Sequence, residues 1–193
     1  MRALVMDKQI WNDIARGDMQ AYETLYVSYF KKLYTYGRKF TPDTATIEDS
    51  IQEVFLDVWK KRETAAGREL PGSYFFASFR YILLKKIKQR ARFHYTDHLA
   101  DIPFAPEHFT LSAETGNALQ QKLQEALRTL TPRQREAIFL RFYAGLSYEE
   151  VAAVLRITVK ATYKIMARSL AALKDTLSLS LWALLFLLRT LKG

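Results

Sequence analysis

One predicted helix near the end of the chain carries side chains that suit contact with DNA. Because successive residues of a helix rotate by about 100°, five of them share one face: Lys160, Tyr163, Lys164, Ala167 and Arg168. Lysine and arginine can reach phosphates or guanine edges, and small or aromatic side chains can touch thymine methyl groups. The pattern predicts a recognition helix that lies in the major groove, rather than an ordinary solvated helix.

Two shorter helices are predicted before it, and each has a capping signal at its start. In a capping box, the N-cap residue and the residue three positions later each accept a hydrogen bond from the other's backbone N–H. The pairs here are Thr131 with Gln134 and Ser147 with Glu150. Gly145 is expected to end the first helix, and a short turn at 156–158 joins the second to the recognition helix. Such a turn is typical of a helix-turn-helix.

The composition of the chain favours a polyanionic partner. Among 193 residues, 29 are Lys or Arg and 20 are Asp or Glu, which gives a formal net charge of +9. The chain has no cysteine, which excludes a disulfide framework and a thiolate metal site. Nothing at its start resembles a signal peptide, and we expect a cytoplasmic protein.

The first half of the chain predicts four helices, and almost no strand signal appears anywhere, so the fold class is all-α. The four predicted helices are 7–15, a segment capped by Asp18, 47–62 and 73–92. Thr46 with Asp49 is predicted to form the capping box that opens the third of them. These helices can close one domain.

The predicted organisation is two small helical domains joined by a linker. The domains are residues 1–92 and 114–175, with the linker at 93–113 and an apolar tail at 176–193. The tail is too short for a comfortable membrane span. We expect it to fold back on the chain, or to bind a partner or a lipid interface.

The predicted helix at 47–62 has a second stripe that packing alone does not require. Its core stripe, at helical spacing, is Ile51, Val54, Phe55 and Val58. The second stripe is Gln52, Leu56 and Trp59, bordered by Asp49 and Glu53. An apolar patch with acidic residues at its rim is typical of a protein-binding hot spot. The alternative is a central helix that is buried on both stripes.

The predicted helix at 73–92 begins with aromatic residues and continues with basic ones. Its basic residues include Arg80, Lys85, Lys86, Lys88 and Arg90, and no acidic residue lies between Glu69 and Asp97. Aromatic side chains beside a basic run suit a surface that binds single-stranded nucleic acid. We expect most of the aromatic residues to be core and the basic residues to contact phosphates.

The sequence offers little for a metal site, a cofactor or catalysis. His94, Asp97, His98 and Asp101 have spacings that a metal site could use, but no second cluster completes the coordination. We find no nucleophile–base constellation and no glycine-rich phosphate loop. We therefore expect no metal, no cofactor and no enzymatic activity.

The chain resembles the group IV, or extracytoplasmic-function (ECF), sigma factors of bacterial RNA polymerase over about residues 10–174. Three passages carry the resemblance: GDMQAYETLYVSYFKKLYTYGRKF, EDSIQEVFLDVWKKR, and LTPRQREAIFLRFYAGLSYEEVAAVL with the recognition helix after it. The resemblance implies an alternative sigma factor of two helical domains, region 2 and region 4. Such a protein binds core RNA polymerase and directs promoter recognition.

The resemblance gives each candidate surface a role. The implied partner is the core polymerase, which would be contacted at the clamp helices of its largest subunit and at its flap. The clamp-helix contact would be made by Asp49, Gln52, Glu53, Leu56 and Trp59. The minus-10 element would be bound and opened by the segment at 62–72 with Arg80, Lys85, Lys86, Lys88 and Arg90. The minus-35 element would be read by Arg156, Lys160, Tyr163, Lys164, Ala167 and Arg168, with Arg141 and Tyr148 at the rim.

Two positions depart from the family pattern. Many members have Asn where this chain has Tyr81, and often Asp or Asn where it has Lys85. The base preference at minus-10 is therefore not carried over. Phosphate contacts position a protein without specifying a sequence, so we expect them to depend less on these two changes.

The resemblance also implies a third partner, an anti-sigma factor, often membrane-anchored, that masks the same surfaces. Two other classes of protein are weighed against this interpretation. A LuxR-type transcriptional activator also contains LTPRQRE and GLS, but it would carry a domain of alternating strands and helices in front. A helical enzyme is the second alternative, and no set of catalytic residues supports it.

Overall fold

The computed structural model describes residues 8–63, 71–90, 103–105 and 117–178. All regular secondary structure in these residues is helical, which confirms the predicted all-α class. Contacts between Cα atoms divide the chain into two compact units, Met1–Asp97 (unit 1) and His98–Gly193 (unit 2). Each unit has its own buried core.

The described part of unit 1 contains four helices. They are α1 (Lys8–Ala15), α2 (Met19–Gly37), α3 (Thr44–Lys60) and α4 (Gly72–Arg90). Asp18 is the N-cap of α2, as predicted, and its carboxylate accepts hydrogen bonds from the backbone N–H groups of Gln20 and Ala21. These N–H groups have no partner within the helix, so the cap stabilises its first turn.

The start of α3 differs from the prediction. The sequence predicts Thr46 as the cap, but α3 begins earlier, at Thr44, and Asp43 is the N-cap. The carboxylate of Asp43 accepts hydrogen bonds from the backbone N–H of Thr46 at 3.1 Å and from its hydroxyl at 2.6 Å. These hydrogen bonds hold the pKa of Asp43 below its ordinary value. An ionised carboxylate is favoured at a helix N-terminus, which explains why Asp43 takes the cap.

Aromatic rings fill the core of unit 1. The ring centroid of Phe55 on α3 lies 4.9 Å from that of Tyr26 on α2 and 5.7 Å from that of Phe75 on α4. The hydroxyl of Tyr22 donates to the carbonyl of Phe55 at 2.8 Å. As predicted, the aromatic half of α4 is mostly core, with buried Phe75, Phe76 and Phe79.

Unit 2 contains the predicted helix-turn-helix. The helices in its described part are α5 (Asn117–Arg128), α6 (Pro132–Ile138), α7 (Tyr148–Leu155) and α8 (Val159–Leu177), with a five-residue π-helix (Phe139–Tyr143) after α6. Both predicted capping boxes are present, Thr131 with Gln134 and Ser147 with Glu150. The hydroxyl of Thr158 caps α8 by accepting a hydrogen bond from the N–H of Ala161.

The helix that begins at Pro132 ends in a wider, π-helical turn that the sequence does not predict. After α6, the N–H of Ala144 donates to the carbonyl of Phe139 at 3.0 Å, which is the spacing of a π-turn. Gly145, with a φ of +77°, then ends the helical path as predicted. The π-helix contains Arg141, whose guanidinium contacts Tyr148 of α7.

Part of the predicted linker belongs to unit 2 and packs on its helices. Phe104 is only 1% exposed, and its ring centroid lies 5.9 Å from that of Phe139. The carbonyl of Phe104 accepts a hydrogen bond from Nε of Arg135 at 2.7 Å. The absence of helical periodicity predicts a linker here, but one buried ring and one hydrogen bond from a side chain attach residues 103–105 to the helices of unit 2.

Several expectations fall outside the described residues. They concern the tail beyond Ser178, the minus-10 segment at 64–70, and the cluster of His94, Asp97, His98 and Asp101. Among the residues that are described, no group of His, Cys, Asp or Glu is arranged to hold a metal ion. No helix in the same residues is long and apolar enough to cross a membrane.

Gly37, the last residue of α2, is a point of close approach in unit 1. A Cβ atom at this position would lie 2.8 Å from Cγ2 of Ile47 and 2.9 Å from Cζ of Phe79. Both neighbours are fully buried, so neither side chain can move aside without disturbing the core.

We expect Gly37→Ala to destabilise unit 1, although alanine is usually the better helix former. Overpacking a filled core costs about 1–3 kcal/mol, which exceeds a gain in helix propensity of at most about 1 kcal/mol. Thermal unfolding followed by circular dichroism should show a lower midpoint. Val27→Ala, at a 65% exposed position of α2, is the matched control and should leave the midpoint nearly unchanged. An unchanged midpoint for Gly37→Ala would mean that the neighbouring side chains have room to shift.

Candidate functional site

The second stripe of α3 is exposed to solvent. Asp49, Gln52 and Glu53 are exposed, and Leu56 keeps 55% of its surface accessible. The core stripe of the same helix is buried: Ile51, Val54, Phe55 and Val58. A helix buried on both stripes is therefore excluded. The α3 outer stripe is defined as Asp49, Gln52, Glu53, Leu56 and Trp59.

Trp59, at the end of the α3 outer stripe, is partly covered by its neighbours. Its ring centroid lies 4.9 Å from that of Tyr22, and the guanidinium carbon of Arg62 lies 4.6 Å from the same ring. Arg62 is held there because its Nη1 donates to the carbonyl of Trp59 at 3.0 Å. Trp59 therefore contributes to packing as well as to the surface, and Leu56 is the more accessible apolar group.

A groove between α3 and α4 adjoins the α3 outer stripe. Leu56 and Tyr81, which are both at least half exposed, line it together with Asp57. Burial raises the pKa of Asp57, but hydrogen bonds from Lys61 and Tyr74 outweigh burial and leave this pKa below its ordinary value. The groove thus presents two apolar side chains beside a carboxylate that is ionised at neutral pH.

Arg80 does not fit the prediction of a DNA-contacting residue. It is only 7% exposed, so little of the residue is accessible to a phosphate. Phe76 and Leu84 are buried as well, and residues four positions apart lie on the same face of a helix. Arg80 therefore lies on the core face of α4, and we remove it from the candidate DNA-binding residues.

Four basic residues of α4 remain accessible and form the α4 basic run: Lys85, Lys86, Lys88 and Arg90. Two of them are paired with acids. Nζ of Lys86 lies 3.2 Å from a carboxylate oxygen of Glu53, and Arg90 forms an ion pair with Asp43, the N-cap of α3. Lys85 and Lys88 form no ion pair with any described residue, so their charges are available to a ligand.

The face of α8 that is predicted to read DNA is exposed. The α8 outer face consists of Lys160, Tyr163, Lys164, Ala167 and Arg168, which are all accessible. The opposite face holds buried Thr162, Met166, Ser169 and Leu173 and half-buried Ile165. Within the described part of the chain, Lys160, Lys164 and Arg168 form no ion pair. Their charges can therefore meet phosphates.

Arg156 occupies the turn of the helix-turn-helix in the left-handed backbone region. Its φ and ψ are both 52°, and it is the C-cap of α7. The N–H of the next residue, Ile157, donates to the carbonyl of Ala152 at 3.0 Å, which closes the end of the helix. The chain can then enter α8 at once, and Arg156 itself is exposed in the turn that precedes α8.

Sequence reasoning missed a contact between α7 and α8, the tyrosine cluster of Arg141, Tyr148 and Tyr163. The ring centroids of Tyr148 and Tyr163 lie 4.3 Å apart, with 15° between the ring planes. The guanidinium carbon of Arg141 lies 5.1 Å from the centroid of Tyr148. The two tyrosines lie on different helices, so only their shared aromatic character could have indicated the contact.

Two family models match the chain, and each falls in one unit. Residues 25–93 match Sigma-70 region 2, and residues 120–173 match Sigma-70, region 4. The first segment contains the α3 outer stripe and the α4 basic run, and the second contains the α8 outer face. Because region 2 precedes the helix-turn-helix, the LuxR-type alternative has no support.

Characterised relatives match over most of their length. The ECF RNA polymerase sigma factor SigK of Mycobacterium ulcerans is 26% identical over 171 residues, which cover 86% of this chain and 91% of the relative. The RNA polymerase sigma-H factor of Pseudomonas aeruginosa is 28% identical, with 79% of this chain and 84% of the relative covered.

Solved structures share the fold at lower identity. CnrH, in complex with the cytosolic domain of CnrY, matches with a TM-score of 0.56 at 24% identity, covering 89% of this chain and 97% of that one. The sigma factor RpoE of Bartonella quintana, in complex with the anti-sigma factor NepR, matches with a TM-score of 0.58 at 18% identity, covering 84% and 99%.

The two sigma-70 segments together make up well over half of the chain, and both characterised relatives are sigma factors. The exposed faces of α3 and α8 lie within these segments. The chain belongs to the ECF sigma factors of the sigma-70 family, the alternative sigma factors that bind core RNA polymerase and direct transcription initiation at promoters.

Proposed function

We propose that this sigma factor binds the core polymerase through the α3 outer stripe. The observation that carries the proposal is the exposure of Leu56 on a helix whose core stripe is buried. Asp49, Gln52 and Glu53 surround it with polar groups, as at the rim of a protein interface. By family resemblance, the surface that it meets is formed by the clamp helices of the largest subunit, and the flap is a further contact.

For the minus-10 element, the proposed phosphate-binding surface is the α4 basic run. Lys85 and Lys88 are its principal contacts, because no acid in the described residues competes for them. Lys86 can exchange its acid partner for a phosphate, because its ion pair with Glu53 lies at the surface with both side chains partly accessible, and surface ion pairs contribute only about 0–1 kcal/mol. The ion pair of Lys86 with Glu53 joins this surface to the α3 outer stripe.

For the minus-35 element, the proposed reading surface is the α8 outer face with Arg156 at its edge. Lys160, Lys164 and Arg168 are exposed on one side of a helix that follows a capped helix-turn-helix. A recognition helix presents such a face to the major groove. Tyr163 and Ala167 add apolar groups that can touch base methyl groups.

Regulation, location and the lack of catalysis complete the proposal. An anti-sigma factor, often membrane-anchored in this family, is the third partner; the solved complex of RpoE with the anti-sigma factor NepR, which shares the fold, supports it.

The protein acts in the cytoplasm, where polymerase and chromosome are found. It has no enzymatic activity of its own, because binding and positioning account for all the surfaces described.

We expect Leu56→Ala to weaken binding to the core polymerase by roughly fivefold or more, because truncating an apolar interface anchor costs more than about 1 kcal/mol. The affinity of the labelled full chain for purified core polymerase measures the effect. Val27→Ala removes another exposed apolar side chain, from α2, and should bind as the wild type does. Trp59→Ala should also weaken binding, but it removes the contact with Tyr22 as well. Wild-type affinity for Leu56→Ala would contradict the proposed surface.

Lys164→Ala and Arg168→Ala should each weaken the binding of promoter DNA to the holoenzyme. Where the lost contact is to a phosphate, the plot of log K against log salt concentration should become less steep, and the magnitude of its negative slope should decrease by about 1. Titrations at several salt concentrations measure both effects. Lys122→Ala removes the same charge from an exposed position of α5 and controls for net charge. If all three variants bind DNA alike, the α8 outer face is not the DNA-binding surface.

A further inference from the structure

The tyrosine cluster ends on the α8 outer face. Tyr163, which is 52% exposed, is its outermost member and stacks on Tyr148 of α7. Arg141, from the π-helix, lies against Tyr148 in turn. Tyr163, a side chain of the proposed DNA-reading surface, is therefore linked through these contacts to α7 and to the π-helix.

Local structure fixes the two inner members of the cluster. Nη1 of Arg141 donates to the carbonyl of Leu146 at 2.8 Å, which holds the guanidinium beside the turn before α7. Tyr148 is the first residue of α7 and directly follows Ser147, the N-cap of the capping box. The position of the Tyr148 ring is thus set by the backbone of the helix start and by Arg141.

The consequence for Tyr163 is that its ring is held in place before DNA binds. A tyrosine on a bare helix face exchanges between rotamers, and binding must immobilise it at a cost in free energy. Stacking on Tyr148 covers part of the Tyr163 ring and leaves about half of the residue accessible. Lys160 and Lys164 on the same face are flexible point charges, so Tyr163 is the preorganised group among them.

We propose that Tyr148 is a positioning residue that fixes Tyr163 as a specificity-determining residue, and that the ring of Tyr163 reads a thymine methyl group. This proposal rests on the proposed binding of the minus-35 element by the α8 outer face. An apolar ring in the major groove favours thymine, which alone among the DNA bases carries a methyl group there. Phosphate contacts from the lysines supply affinity without this discrimination.

The test uses holoenzyme reconstituted from core polymerase and the full chain. A DNA library randomised over the minus-35 region is selected with wild-type holoenzyme, and the selected duplex is resynthesised with uracil in place of thymine, one position at a time. Uracil lacks only the methyl group, so at the position read by Tyr163 it should weaken wild-type binding by roughly two- to fivefold. Tyr163→Ala should abolish the sensitivity to uracil at that position alone.

Variants of Tyr148 separate positioning from direct contact. Tyr148→Leu keeps an apolar side chain but removes the ring, and it should reduce uracil sensitivity at the same position. Tyr148→Phe keeps the ring and should retain the sensitivity. The double variant of Tyr148→Leu with Tyr163→Ala should lose no more than Tyr163→Ala does, because Tyr148 acts only through Tyr163. If Tyr148 instead contacted a phosphate directly, Tyr148→Leu would weaken binding to every duplex equally. Its effect would then add to that of Tyr163→Ala in the double variant.

Two further results would overturn the proposal, and each concerns a different part of it. Full uracil sensitivity in Tyr148→Leu would overturn the positioning role, and a wild-type protein that is insensitive at every thymine would overturn methyl reading. Thermal unfolding of each variant is measured alongside, and Tyr148→Met replaces Tyr148→Leu if that variant does not fold. A failure of the proposed DNA-binding face itself is recognised separately, because Lys164→Ala would then bind the selected duplex as tightly as the wild type does.

Discussion

The aromatic cluster around Phe55 is the contact on which the surfaces of unit 1 depend. Rings from α2 and α4 pack on Phe55, and the hydroxyl of Tyr22 donates to its carbonyl. Because a helix turns by about 100° per residue, burial of Phe55 fixes the rotation of α3 about its axis and directs Leu56 to solvent. Burying a leucine side chain is worth about 1.5–3 kcal/mol, so an α3 free to rotate would not leave Leu56 exposed. The α3 outer stripe is therefore a consequence of the core.

Sequence patterns predicted the features that depend on neighbouring residues. The capping boxes at Thr131 and Ser147, the turn between α7 and α8, and the two faces of α8 all follow from local spacing, and all are present. Contacts between distant segments could not be predicted in this way. Asp43 takes the cap of α3 and pairs with the far end of α4, and Phe104 attaches to unit 2 from within the predicted linker. Arg80 illustrates the same limit, because its residue type predicts the surface while its helical neighbours are buried.

Some basic side chains of unit 2 contact the protein's own backbone, and others are exposed to solvent. Arg133, Arg135 and Arg141 donate hydrogen bonds to backbone carbonyls of other segments. A guanidinium presents several N–H donors in a fixed plane, which suits this task better than the single ammonium of lysine. The lysines of α8 remain at the surface. Hydrogen bonds within the chain therefore occupy N–H donors of these three arginines, although their charges still count toward the formal net charge of +9.

The small number of charges on the α8 outer face limits how tightly this face alone can bind promoter DNA. Each phosphate contact on duplex DNA contributes a salt slope of about 0.9, and the α8 outer face offers only Lys160, Lys164 and Arg168. So few contacts favour weak binding to free DNA at physiological salt. Once the chain is bound to the polymerase, a second DNA contact becomes intramolecular, and its effective concentration can raise the overall affinity by about a hundredfold or more. Specificity at the promoter then depends on the few side chains that distinguish bases, because charge alone no longer decides where the complex binds.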